Sequence, residues 1–566
     1  MDTQTQQPHT RSLKQGSDWV VTSTTIGILS AFVIASLISP SAVGHMVNVG
    51  FTFSASTFGF YWQILLFLTF AVAFIVMLTP WAKAYLGHIK KPEFTRFKWV
   101  AMIMCTLLAG GGVFWAGAEP MYHYLNTPPT LASHATDEFS RATVGLTQSF
   151  VHWGFLAWAI LGTTGAVVLS YAHEKGMPMR PRTLLYPLGE RVVNSWVGTV
   201  ADIVAIVAVV AGTVGPIGFL GLQVSYGLSV FFGWPNTYPL QLAVIAVLVI
   251  TAAISVLSGL DKGIQILSRL NVWMAVILMA VVIALGSIVY LVKHYFSAFG
   301  LYLTTFVSTS LHMGDADWMG GWTIFFFGWF LGYAPLMSIF IARISYGRTI
   351  RDLFFTVAIL APVVTTFWFT VMGGTAIMFE QRNAGSISEP LAEGGLPSAV
   401  IAMSQQLPAG TLIGGAFLLL TLTFVSTTAD SMSYAVAQSC TPHGQPERWL
   451  RALWAVLMGV ASAVLISIGD GGISALQSFI VITAVPVGFL MAPVLIGMPV
   501  YVYRMAQEQT IRPPLDKIPD ETDEDYDFGI PIGWQVPLTL PSPLPLLHKS
   551  QRKYPDYTPE KQDVSS

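Results

Sequence analysis

Charge is what this sequence has least of. Only 10% of its 566 residues are Asp, Glu, Lys or Arg, while 53% are hydrophobic. A soluble domain carries about 25% charged residues. A chain this poor in them cannot clothe a globule in polar surface, so lipid must be its main solvent. Cysteine is scarce too: Cys105 and Cys440 stand far apart, in or beside apolar stretches, and imply no disulfide framework. There is no basic excess, the net charge being −2, and hence no electrostatic footprint for nucleic acid. The stretch from Met1 to Asp18 lacks an apolar core with a small-residue cleavage site, so no cleaved signal peptide is expected. No HExxH or Gly-x-Ser-x-Gly pattern stands in an apolar run. A membrane-embedded enzyme would therefore lack its metal or nucleophile, and neither an enzyme nor an organic cofactor is expected.

What is plentiful is apolar sequence in runs of spanning length, each needing roughly 20 residues. Approximate limits are 19–40, 58–82, 98–122, 144–172, 197–232, 238–258, 264–292, 321–342, 353–379, 409–436, 449–469 and 475–503. The fifth is long enough for its end to bend or lie in the interface. The run 299–317 is short and broken by Ser, Thr and His, and reads as interfacial. The expected fold is an all-α membrane protein of about twelve transmembrane helices. Its parts are an N-terminal tail at 1–18, a membrane domain at 19–504 and a polar, Pro-rich tail at 505–566 that reads as mostly disordered.

Lysine and arginine placement orients the chain. With the N-terminus in the cytoplasm, alternate loops leave only Arg141, Lys293 and Arg382 of the 28 basic residues outside. A miscounted helix would scramble that asymmetry. Twelve spans with both termini cytoplasmic follow, in a cell inner (plasma) membrane.

Several spans carry more than hydrophobicity. The third contains Gly110-Gly111-Gly112 and ends in Glu119-Pro120. Glycines weaken a helix because Gly gains backbone freedom when it unwinds. They permit either close packing or a hinge whose freed carbonyls line a site. Glu119 is read as a cap of the outer end, with a buried proton carrier as the alternative. The eighth span holds Trp322, Phe326, Trp329, Phe330 and Tyr333 before Pro335. Positions 322, 326, 329 and 333 share a helical face, which serves packing, an interface belt, or a cage holding a cation against π-clouds. In the fourth span, Trp153 and Trp158 point about 140° apart on a regular helix and can flank a cavity. The adjacent His152 reads as a hydrogen-bonded core residue, or else a proton relay. In the tenth span Phe424, Thr427 and Thr428 stand at i, i+3 and i+4. A carbonyl and two hydroxyls on one face suit a small, hard cation. Asp430 is costly in a span unless paired and is a functional candidate by default.

These residues resemble a known family. The run from Trp322 through Pro335 into Ile341-Ala342-Arg343-Ile344-Ser345-Tyr346-Gly347-Arg348-Thr349-Ile350-Arg351 is similar to the signature of the betaine/choline/carnitine transporters. The resemblance extends to Ala118-Glu119-Pro120, His152-Trp153 to Trp158, Gly259-Leu260-Asp261-Lys262-Gly263 and Thr428-Ala429-Asp430-Ser431, and leaves out the two tails. It implies two peripheral helices followed by two inverted five-helix repeats, spans 3–7 and 8–12. It also implies secondary transport, usually sodium-coupled, of a small zwitterionic or quaternary-ammonium compatible solute such as betaine, choline or carnitine. The alternative is a proton-coupled or sodium-independent exchanger of a related osmolyte: a sulfonium zwitterion, ectoine or taurine. On this resemblance Trp153, Trp158, Trp329 and Phe330, with Gly110 and Gly111, bind the solute. Thr427, Thr428 and the carbonyls of Phe424, Leu108 and Cys105 hold Na+. Two departures stand out. Leu161 occupies the place of a tyrosine, and Phe330 that of a tryptophan, each change costing about 0.5–1 kcal/mol of cation binding. A second sodium site keeps Thr213 but has Val209 one turn earlier, and Val272 stands where an exchanger carries a fixed cation. The partners implied are the solute and membrane lipid; members commonly form homotrimers.

The rival classes lack support in the residues. A channel needs a continuous polar pore, and only scattered polar residues appear in the spans. A structural or sensor protein needs no occluded site.

Overall fold

Apolar runs with no water at hand must satisfy each backbone N–H and C=O internally, which for a single segment means helix. The computed structural model describes residues 17–107, 111–258, 261–441, 446–468 and 473–514, excepting the side chains of 105–107, 255, 258 and 261–269. Among the described residues it is helical apart from loops and one antiparallel bridge, Tyr85 to Thr349. Nine helices among the described residues are long and apolar enough to cross a bilayer, or ten if one bent pair is a single span. Outward faces are apolar: Val247, Ile250, Ile254 and Leu257 are all exposed along one stripe of the Tyr238–Ser258 helix. Hydrocarbon is the surrounding that such a face accepts.

Each expected apolar run overlaps a helix, with informative differences at the ends. The second helix is Pro40–Leu78, far longer than the run 58–82. Pro40 at its first turn starts it, whereas His45, Asn48 and Ser54 depress hydropathy without breaking the helix. The seventh ends at Leu285 and not near 292, because the chain turns by 107° at Gly286–Ser287 into a separate helix, Ile288–Ser310. Ser287 caps that helix by accepting from the backbone N–H of Tyr290. The element expected at 299–317 is therefore this longer helix. The fifth span neither breaks nor ends early: Trp196–Phe232 is one helix, with Pro216 inside it.

The spans that build the site are interrupted. In the third, Arg96–Leu107 precedes residues 108–110, which lie outside the described residues, and a π-helical turn at Gly111–Gly112 leads into Val113–Leu125. The fourth breaks at Gly154, between Glu138–Trp153 and Phe155–Gly162. Gly154 is non-helical (φ −90°, ψ −135°), and a Cβ there would lie 2.5 Å from the Tyr302 hydroxyl. That hydroxyl accepts the N–H of Phe155 at 3.0 Å, so the break leaves no orphan donor there. The eighth span opens with a π-helical turn, Gly320–Ile324, before Phe325–Ile344.

The arginine-rich segment pins one end of this bundle. Arg351 donates to the carbonyls of Met77 and Thr79 (3.0 and 2.7 Å), the orphan acceptors where Pro40–Leu78 ends. Arg348 donates to the carbonyl of Phe94. Nearby, Asp202 is fully buried against Arg180 and Arg182 (2.9 and 2.6 Å).

Candidate functional site

Gly111 lies in a π-helical turn with Gly112, and its missing side chain is what admits the site's rings. A Cβ on Gly111 would stand 2.6 Å from Cη2 of Trp329 and 3.4 Å from Cη2 of Trp153. Trp153 meets Trp329 edge-on (centroids 5.9 Å, 83°) and Phe330 likewise (5.3 Å, 76°). Trp329 and Phe330 lie parallel, 5.9 Å apart. Phe369 and Phe326 pack on Trp153 at 5.0 and 5.5 Å. Trp329 is held by donating its indole N–H to the carbonyl of Gly212 (3.1 Å). The carbonyl of Gly112 accepts from the indole of Trp368 (2.9 Å), so the glycine turn does present a backbone acceptor to a neighbouring span.

Four of the expected solute-binding residues thus meet: Trp153, Trp329, Phe330 and Gly111. Gly110 lies outside the described residues. Trp158 takes no part in the ring contacts among the described residues; its indole donates to the hydroxyl of Thr365 (3.1 Å). The regular-helix angle between the two tryptophans does not apply, because Gly154 breaks the helix between them. Trp322 keeps its expected contact with Phe326, at 6.4 Å, on the shared face. It stands in the π-turn and also packs on Tyr122 and His123 (4.4 and 4.5 Å).

Glu119 corrects the reading of it as an outer cap. It sits inside the Val113–Leu125 helix, fully buried, between helices and not at an end. Its Oε1 is 2.5 Å from Nδ1 of His152, and its Oε2 accepts the indole N–H of Trp153 at 2.8 Å. His152 is, as expected, a hydrogen-bonded interior residue; its Nε2 lies 2.9 Å from the Gln148 amide and 3.0 Å from the Thr323 hydroxyl. Spans three, four and eight are joined through this one histidine. Each of these residues is visible in the sequence as a polar group in an apolar window, but their pairing is not.

A second cluster lies on the Gly410–Ser439 helix. Thr427 donates to the carbonyls of Phe424 and Thr423, both at 3.0 Å, which puts two oxygens of the expected cation set side by side. Thr428 is buried one position on. Cys105 belongs to the Arg96–Leu107 helix, and Leu108 lies outside the described residues. Asn271, passed over in the sequence, donates its amide N–H to the Thr427 hydroxyl (3.2 Å), while its own Oδ1 is buried without a hydrogen-bond partner. An Asn in a span beside Val272 was the available signal. Thr213, the surviving half of the second cation site, bonds to the Tyr333 hydroxyl at 3.1 Å and to the carbonyl of Val209 at 2.8 Å. Asp430 has a partner in Arg451, 3.6 Å away, whose guanidinium lies over Tyr434.

The sequence model described as betaine/carnitine/choline family transporter matches residues 20–507. A protein of Vibrio parahaemolyticus named glycine betaine transporter 2 is 45% identical over 483 residues, covering 85% of this chain and 89% of that protein. An ectoine/hydroxyectoine transporter of Virgibacillus pantothenticus is 30% identical over 470 residues, or 81% of this chain and 92% of its own. The glycine betaine transporter OpuD of Bacillus subtilis is 28% identical over 476 residues, covering 83% and 90%.

Proposed function

The chain belongs to the betaine/carnitine/choline family of transporters, and from that premise we propose that it imports a small zwitterion with a cationic head, driven by sodium. It is a multi-pass membrane transport protein rather than an enzyme. The observation that carries the substrate class is the meeting of Trp153, Trp329 and Phe330 over Gly111, deep between interrupted spans. Three aromatic rings meeting at one point, with few competing charges, suit a methylated onium group. Glycine betaine is the first candidate, because the relative at 45% identity is named for it. Ectoine is the second, on the name of a relative at 30% identity; its delocalised cation suits an aromatic face.

The coupling ion is assigned to Phe424, Thr427 and Thr428 on one side and the carbonyls of Cys105 and Leu108 on the other. The pairing of Phe424 and Thr427 oxygens supports it, and the unpartnered Oδ1 of Asn271 adds a further oxygen within the same neighbourhood. An ion there would tie the third span to the tenth. Solute would then bind between spans three, four and eight, and the bundle would rock inward. The wider architecture proposed is twelve spans, with repeats at spans 3–7 and 8–12 and both termini in the cytoplasm of a bacterial cell. Its support is the overlap of every expected apolar run with a helix, and a π-helical turn in both repeat-opening spans, at Gly111–Gly112 and Gly320–Ile324.

Equilibrium binding to the purified protein tests the solute and ion assignments together. Glycine betaine is expected to bind more tightly in NaCl than in KCl, and equal binding in the two salts would remove the ion from the proposal.

A further inference from the structure

Glu119 is an ionisable side chain with 0% exposure inside a membrane helix. Such a placement is expensive, and it is kept where it does a task that a neutral residue cannot. If its only duty were to hold the Trp153 indole, a glutamine oxygen would accept the same N–H and cost less to bury.

The hydrogen bonds around it indicate its state. The Thr130 hydroxyl donates to Oε1 of Gln148 (2.7 Å), which turns the amide nitrogen of Gln148 onto Nε2 of His152 (2.9 Å). With that ring nitrogen taken as the acceptor for the amide and for the Thr323 hydroxyl (3.0 Å), the imidazole proton is assigned to Nδ1, facing Oε1 of Glu119 (2.5 Å). The other oxygen accepts from Trp153 at 2.8 Å. Both oxygens thus face N–H donors, as an ionised carboxylate does. The remaining neighbour, His123, lies beyond hydrogen-bond distance at 3.7 Å and packs on the rings of Trp318 and Trp322. Glu119, His123 and His152 bring one ligand atom each within 4.8 Å, yet a metal does not suit them as they stand. Two donors on a tetrahedral zinc, each about 2.0–2.1 Å from it, stand roughly 3.3 Å apart, whereas Oε1 and Nδ1 are 2.5 Å apart and share a proton.

We propose that Glu119 is the buried counter-charge for the solute's cationic head, acting through Trp153. The carboxylate fixes the indole by its N–H and pushes electron density toward its face. Cation–π attraction depends on that negative face, and low local dielectric strengthens the polarising bond. The cage therefore selects a positive head over a neutral one of equal size. The rings of Trp153, Trp329 and Phe330 already favour a cation, and the carboxylate widens that preference. The proposal rests on the cage assigned above.

The test compares glycine betaine with 3,3-dimethylbutanoate, which replaces the quaternary nitrogen by carbon and keeps the shape and carboxylate. Binding of each is measured to the purified full-length wild type, Glu119→Gln, Trp153→Phe and the double variant. Glu119→Gln is expected to weaken betaine binding about tenfold and to change the neutral isostere by less than about twofold. In the Trp153→Phe background, which lacks the indole N–H, Glu119→Gln should leave the ratio of the two affinities unchanged. Equal loss for both ligands in Glu119→Gln would mean that the carboxylate only positions the ring, and overturns the proposal while leaving the substrate class intact. A wild type that binds neither compound overturns the betaine assignment and this inference with it. If Glu119→Gln does not fold, Trp153→Phe alone decides: an unchanged betaine-to-isostere ratio overturns the proposal.

Discussion

At Gly111 a missing side chain makes room for two tryptophans, and restoring a single methyl measures how tightly the site is built. Gly111→Ala puts a carbon 2.6 Å from the Trp329 ring, an overpacking that costs about 1–3 kcal/mol. Solute affinity should fall roughly five- to a hundredfold with the protein still monodisperse, as read by binding to the purified variant. Trp153→Leu should weaken binding about two- to thirtyfold through the lost π-face. Trp322→Leu, whose ring packs on Tyr122 and His123, should change it far less; comparable losses would misplace the cage. Changing Thr427 and Thr428 together to Ala should raise the sodium concentration giving half-maximal uptake, with expression unaffected. The candidate rings were legible in the sequence because aromatic residues at helical spacing in an apolar run are conspicuous. The Glu119–His152–Trp153 connection was not. A hydrogen bond between helices depends on which faces meet, and hydropathy carries no such information.

Among the elements, what sequence reading resolved least was where spans break. The glycines at 110–112, where Gly111 and Gly112 form a π-helical turn, marked one irregular place by their number. Gly154 did not, standing alone in the run Trp153-Gly154-Phe155, where apolar neighbours favour a continuous helix. The break is decided by a partner far along the chain, since Tyr302 takes the freed N–H of Phe155. Tyr302→Phe leaves that buried donor without its acceptor, and a loss of about 1–3 kcal/mol is expected, seen as a lower thermal midpoint of the purified protein. The Asp202 pair is a stronger case. Asp202→Asn removes the fully buried one of the two carboxylates on Arg180 and Arg182, leaving Asp18 at 3.1 and 3.5 Å as their only charged partner among these contacts. Breaking such a pair costs about 3–5 kcal/mol, so this variant should unfold at markedly lower temperature than a neutral change at exposed Arg96.

For the whole molecule, the apolar runs gave the class, an all-α membrane protein, because the bilayer reads hydrophobicity from a chain; against twelve expected runs, nine or ten helices among the described residues are long and apolar enough to span. Helix ends departed from hydropathy at Pro40 and Leu285, where a proline and a Gly-Ser turn set the limits. With only two cysteines to replace, single cysteines placed in either tail should react with an impermeant reagent in inside-out vesicles and not in intact cells. The reverse pattern at either end would break the twelve-span topology. The central claim is sodium-driven import of a cationic zwitterion. Its most direct measurement is uptake of labelled glycine betaine and ectoine into proteoliposomes under an inward sodium gradient, a proton gradient, and neither. Saturable accumulation of one of them only when sodium is provided is the predicted result. Exchange of preloaded solute with no accumulation under any gradient would contradict the account, for the chain would then be an antiporter and the cation site on Phe424, Thr427 and Thr428 would have no coupling role.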